Sequence, residues 1–151
     1  MPQSSCDAPS SVTRFLDLGI APYLLRSSLL GIVAQRLMRT LCPHCKAPAT
    51  IDADLWQALS TPARLPRPER VYEARGCEEC RQTGYLGRAA VYEMLIMSDA
   101  LREAITASAD IAAIRRIALK EGMVPLRVSG ALKVREGVTT PQEMLSVVRE
   151  H

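Results

Sequence analysis

Two stretches set the fold of this chain: Ile32-Val33-Ala34-Gln35-Arg36-Leu37-Met38-Arg39, which runs through Thr40-Leu41 into Cys42-Pro43-His44-Cys45, and Gly76-Cys77-Glu78-Glu79-Cys80, which leads on to Arg88-Ala89-Ala90-Val91-Tyr92-Glu93-Met94-Leu95-Ile96. On periodicity alone the first apolar run fits a continued helix nearly as well as a strand. The matching β-like run at 88–96 favours strands, and the two are expected to pair as a hairpin. The long connection between them, 42–86, carries a C-x-x-C pair near each end. A hairpin with so long a connection needs its ends fastened, and a metal held by thiolates does that.

Thiolate sulfur is a soft donor, and four of them make the closed tetrahedral shell of a structural zinc. Cys42, Cys45, Cys77 and Cys80 are therefore the expected zinc ligands, with four free or redox-active thiols as the competing reading. The pairs stand 31 residues apart, more than in a common zinc ribbon. Pro43 constrains the first turn, and Lys46 and Arg81 follow the two pairs, placed to offset the −2 of a four-thiolate zinc. A closed shell leaves no position for water or substrate, so no catalysis is assigned to it. His44 would strain the turn if it bound the same ion and reads as solvent-facing. Cys6 reads as a free thiol, Glu78 and Glu79 as solvated carboxylates, and Gly84 and Gly87 as turn residues before the return strand.

Working outward, 151 residues are one domain's worth, and 48% hydrophobic with 23% charged argues against disorder. Aromatics are only 4%, so the core must come from Leu, Ile, Val, Ala and Met. The formal net charge of +3 is spread over scattered basic residues, 16 of them Arg, and no basic run exceeds a pair. No nucleic-acid partner is expected on that pattern. The longest apolar stretch, 29–34, is far too short to span a bilayer. The first residues are polar and small, without the look of a signal peptide, and four of five cysteines in C-x-x-C pairs suit a reducing cytoplasm.

Helix signals punctuate the rest. A helix is expected from Ser10 or Ser11 to Gly19, and another from Pro22 to about Leu30. Residues 52–59 around Trp56 read as a short helix, 61–68 as an extended loop and 70–74 as a strand. Ser98 can cap a helix through Ala107, and Asp110 one ending at Gly122. Pro125 can start a third, ending near Gly137. Thr140, Pro141 and Glu143 form a capping-box signature for residues 142–150.

LDLGIAPYLLRSSLLGIVAQRLMRTLCPHC (residues 16–45) and GCEECRQTGYLGRAAVYEML (76–95) resemble the C-terminal part of the type II secretion ATPases, within the secretion and pilus-assembly ATPase superfamily. With the helices after Met97, the resemblance covers nearly the whole chain. It implies a hexameric cytoplasmic motor, peripheral to the inner membrane, that hydrolyses ATP with Mg²⁺ in a RecA-like domain. Its implied partners are further copies of itself and the inner-membrane platform proteins. Pilus-extension ATPases share much of the pattern and are the alternative. The tetracysteine segment is, by the same resemblance, a zinc module inserted in the C-terminal domain. Arg36 and Arg39 could face a nucleotide or a neighbouring subunit of such a hexamer, although arginines on an edge strand are more often solvated.

The expected fold is α+β. It comprises a remnant of a RecA-like core (1–41), the zinc module (42–86), a return strand (87–97) and a helical C-terminal subdomain (98–151). The family's phosphate loop and acidic motifs would lie upstream of these residues, so this length alone is expected not to hydrolyse ATP. The exposed edges of a truncated sheet are expected to promote self-association. The rival reading, from the cysteines alone, is an independent zinc-ribbon module that binds protein or nucleic acid.

Overall fold

The computed structural model describes residues 7–148, so Cys6 and the last two positions of the expected final helix lie outside the described residues. In chain order the elements are α1 (Ala8–Asp17), α2 (Pro22–Ser28), β1 (Gly31–Leu41), β2 (Ala47–Ala49), α3 (Ala53–Ser60) and β3 (Val71–Glu73). There follow β4 (Tyr85–Ile96), α4 (Asp99–Ala104), α5 (Ile111–Lys120), α6 (Leu126–Arg135) and α7 (Pro141–Val147). β1 and β4 form one two-stranded sheet, and β2 and β3 another. The chain divides into two compact units. One takes residues up to Ala34 together with Tyr92–Pro125; the other takes Gln35–Val91 and the residues from Leu126 onward.

In the first unit, Asp7 caps α1 by accepting the Ser10 N–H at 2.9 Å, and Gly19 (φ +87°) ends the segment in a conformation that an L-residue rarely adopts. Pro22 opens α2, where a missing N–H costs no helical hydrogen bond. β4 alternates strictly near its end: Glu93, Leu95 and the following Met97 are buried, and Tyr92, Met94 and Ile96 are exposed. α1 and α4 pack on α5, and Val12, Leu95, Leu101, Ile105 and Ile114 fill the space between. Glu93 is the polar exception inside. Its carboxylate accepts the Ala8 N–H at 2.7 Å, placing a negative group at the positive end of α1. α4 is shorter than the expected 98–107. Ile105 leaves the helix with an extended backbone (ψ 96°), which puts its side chain into the core, only 1% exposed.

The second unit is built around Met38, Trp56, Leu59, Val91, Val134 and Met144. Asp52 caps α3 by accepting the N–H groups of Asp54 and Leu55. Trp56, the only tryptophan, is 2% exposed, and its indole N–H donates to the Leu65 carbonyl at 2.9 Å. α6 packs on both α3 and α7. β2 and β3 run antiparallel, with Ala47 opposite Glu73 and Ala49 opposite Val71. The expected strand at 70–74 thus has a partner that the sequence reading passed over, since Pro48 in the middle of three residues masks β2.

Among the described residues no helix is long and apolar enough to cross a membrane. Leu95→Ala should lower the unfolding free energy by about 2–5 kcal/mol, read from the urea midpoint and slope, because Leu95 is only 1% exposed. A loss under about 1 kcal/mol would mean that the site collapses freely around the smaller side chain.

Candidate metal centre

The first C-x-x-C pair follows directly on β1. Cys42 is buried and donates its N–H to the Gly84 carbonyl at 2.9 Å, so the two cysteine turns are tied by backbone as well as by sulfur. The Cys42 carbonyl accepts from the Cys45 N–H at 3.4 Å and the Lys46 N–H at 3.0 Å, closing a tight turn with Pro43 and His44 exposed at its tip. The second turn closes more widely, with the Gln82 N–H on the Cys77 carbonyl at 2.8 Å. It needs left-handed backbone at Arg81 (φ 54°), Gln82 (φ 64°) and Gly84 (φ 77°). At Gly84 a Cβ would come within 2.5 Å of the Ala74 Cβ, so only glycine fits.

These turns bring the four Sγ atoms within 4.8 Å of one another. Cys42 and Cys77 are 3.8 Å apart, Cys45 and Cys80 3.8 Å, and Cys77 and Cys80 3.7 Å. A tetrahedron with metal–sulfur bonds of about 2.3 Å has edges of about 3.8 Å, whereas a disulfide needs about 2.05 Å. The donor set and its spacing therefore fit a tetrahedral thiophilic ion. His44 is exposed and is not one of the group.

The negative charge of such a cluster is met chiefly by amides. Gly76 N–H donates to Cys45 Sγ at 3.3 Å, Cys77 N–H to Cys80 Sγ at 3.2 Å, and Gly84 N–H to Cys80 Sγ at 3.1 Å. Burial pushes the Cys80 thiol up, but the Cys77 and Gly84 amides overcome it and lower its pKa to about 6. The Cys80 amide pulls Cys77 down, yet desolvation and the neighbouring thiols outweigh it and raise its pKa to about 11. Lys46, read from sequence as a counter-charge, is instead occupied by the Gly137 carbonyl at 3.1 Å and the Tyr72 ring, 4.6 Å to its centroid.

Arg36 donates to the carbonyl of Gln35 at 3.1 Å. Arg39 is more deeply engaged. Its guanidinium meets the Glu143 carboxylate at 2.7 Å and 3.0 Å, its backbone N–H meets the same carboxylate at 2.9 Å, and the Tyr85 ring lies 4.2 Å away. The expected capping box at α7 is therefore half made. Thr140 Oγ1 accepts the Glu143 N–H at 3.1 Å, but the Glu143 carboxylate turns to Arg39 rather than back to the cap. That pair spans 104 residues, and no local pattern announces it. Its only trace in the sequence is a glutamate at a capping position.

With this geometry in view, comparison with known proteins places the chain. Residues 5–146 match the family described as type II/IV secretion system protein. The chain belongs to that family. It is 46% identical over 142 residues to the type IV pilus assembly ATPase TfpB of Acinetobacter baylyi, covering 94% of this chain and 24% of that protein. It is 41% identical to type II secretion system protein E of Aeromonas hydrophila and 41% to type II secretion system ATPase E of Vibrio cholerae, in each case over 95% of this chain and 28% of the relative. The chain thus spans about a quarter of the length of these secretion-system relatives.

The Arg39 pair gives a pH test. The hydrogen bond from Arg39 holds the Glu143 carboxyl below its ordinary value, and the same bond raises Arg39. A depressed carboxyl contributes stability that is complete above its unfolded pKa and is lost as the pH falls through the lower folded value. Glu143→Gln should cost about 1–2 kcal/mol at pH 7, modest because Arg39 is half exposed. The gap between parent and variant should close in acid, measured by urea unfolding from pH 7 to pH 3. A gap that is constant with pH would assign the loss to packing rather than charge.

Proposed function

We propose that these residues form the zinc-stapled C-terminal part of a motor ATPase of type II secretion, serving its assembly and its coupling to the membrane platform rather than the hydrolytic step. The observation that carries this is the four-sulfur cluster, set between the A-Q-R-L-x-R-x-L-C-x-x-C and T-G-Y-x-G-R-x-x-x-Y-E-x-L stretches, in a chain of the secretion-system family. Residues 1–41 and the return strand 87–97 are the remnant of a RecA-like core, 42–86 the zinc module and 98–151 the helical subdomain. Cys42, Cys45, Cys77 and Cys80 hold one zinc in a closed shell, which fixes the long connection and leaves no position for water or substrate.

Hydrolysis belongs to the longer proteins, where ATP and Mg²⁺ bind; the 151 residues contain no G-x-x-x-x-G-K-[ST] phosphate loop. In the intact motor the chain joins a cytoplasmic hexamer at the inner membrane, with Arg36 available to a nucleotide or neighbouring subunit and Arg39 held back by Glu143. A type IV pilus-assembly motor is the second reading, favoured by the 46% identity to TfpB. Grafting residues 7–148 into the matching region of each motor separates the two: secretion restored with piliation lost supports the first, and the reverse outcome the second.

Purified chain should carry one zinc per molecule by plasma mass spectrometry, with one reactive thiol, Cys6, before metal removal and five after denaturation in chelator. Cys42→Ser should abolish stoichiometric zinc. A metal-free, folded protein with every thiol reactive would refute the zinc module. Turnover of ATP that copurifies with the chain, and is absent from a mock preparation, would refute the non-hydrolytic assignment.

A further inference from the structure

We infer that the two cysteine turns act as a latch on the segment leading into α7, so that metal occupancy sets whether residues 137–143 hold their place in the second unit. The inference rests on the zinc reading above and adds a consequence for a distant part of the chain.

The segment between α6 and α7 is held from three sides by residues next to the sulfur ligands. Leu41, immediately before Cys42, donates its N–H to the Val138 carbonyl at 2.8 Å. Lys46, immediately after Cys45, donates from Nζ to the Gly137 carbonyl at 3.1 Å. Tyr85, which follows the second turn, places its hydroxyl 2.7 Å from Thr140 Oγ1. Thr139 Oγ1 in turn donates to the Arg39 carbonyl at 2.8 Å. Thr139 and Thr140 are 0% and 2% exposed, so losing these partners would strand buried hydroxyls.

The fit leaves little slack. Gly137 has φ +73°, and a Cβ there would meet the Tyr72 ring at 2.8 Å, while Lys46 lies over the same ring. The segment's own ties to α6, Gly137 N–H to Val134 and Val138 N–H to Lys133, are local bonds that need no metal. On the other side β1 itself supplies the Arg39 bonds to Thr139 and Glu143, while the ties through Leu41, Lys46 and Tyr85 depend on where the cysteine turns sit. Without an ion, closing a 31-residue connection is entropically costly and the turns lose their common anchor. Leu41, Lys46 and Tyr85 would then no longer be presented together.

Hydrogen exchange on the whole chain tests this, comparing protein loaded with one zinc and protein stripped by chelator. The amides to follow are Leu41, which bonds Val138, and Glu143 and Met144, which bond Thr140. After stripping, these should exchange roughly 10-fold faster or more, while Ile114 and Ala118 of α5 keep their rates. Lys46→Met preserves the side-chain length without the ammonium; it should retain zinc and still speed exchange at Glu143 and Met144 several-fold. Unchanged rates at these amides after stripping would overturn the latch, as would loosening of α5 to the same degree or a Lys46→Met protein that exchanges like the parent. Failure of the zinc reading itself is seen separately, as absence of metal in the loaded sample, and removes the latch with it.

Discussion

The approach of the four cysteine sulfurs is the constraint that sets the two cysteine turns of the second unit against each other. Cys42 and Cys77, and likewise Cys45 and Cys80, lie 35 positions apart in the chain and 3.8 Å apart in space. Little apolar surface surrounds the turns themselves; Pro43, His44, Glu78 and Glu79 are exposed. Their conformation is over-determined by other means: three left-handed residues in the second turn, a glycine wedged against Ala74, and amides aimed at sulfur. Such strain persists only where something holds both ends together, and thiolate–metal bonds are the strongest means these residues offer.

Much of the fold was legible because its signals are local. Asp110, Ser98 and Thr140 cap helices through bonds to amides two or three residues on, and Gly19, Gly122 and Gly137 end segments in left-handed backbone. The run at 32–39 could be read as a strand only through the matching run at 88–96, since its own periodicity suits a helix nearly as well; both lie in strands, 31–41 and 85–96. Local rules failed where distant partners decide. α4 stops early because the core takes Ile105, and β2 exists only because Val71–Glu73 pairs with it. The cysteine pairs could be read as a cluster from spacing and chemistry alone, but the amides that meet their charge could not. Nor could the redirection of Lys46 to Gly137 and of Glu143 to Arg39, since each pairing spans about 90 residues or more.

The two buried carboxylates show how one residue type serves opposite ends of the problem. Glu93, 4% exposed, meets the start of α1 by accepting the Ala8 N–H. Glu143, 6% exposed, sits at the start of α7 but reaches for a guanidinium on β1. Both fasten a helix N-terminus to a strand, and in both cases the strand residue involved, Glu93 or Arg39, belongs to the same unit as the helix.

Trp56 carries a spectroscopic consequence. It is the only indole in the sequence, it lies in the second unit, and its N–H is bound to the Leu65 carbonyl. Emission excited near the red edge of protein absorption therefore arises from that unit alone, and the first unit is dark in the same experiment. The chain carries a built-in fluorophore that separates the behaviour of its two parts without a label.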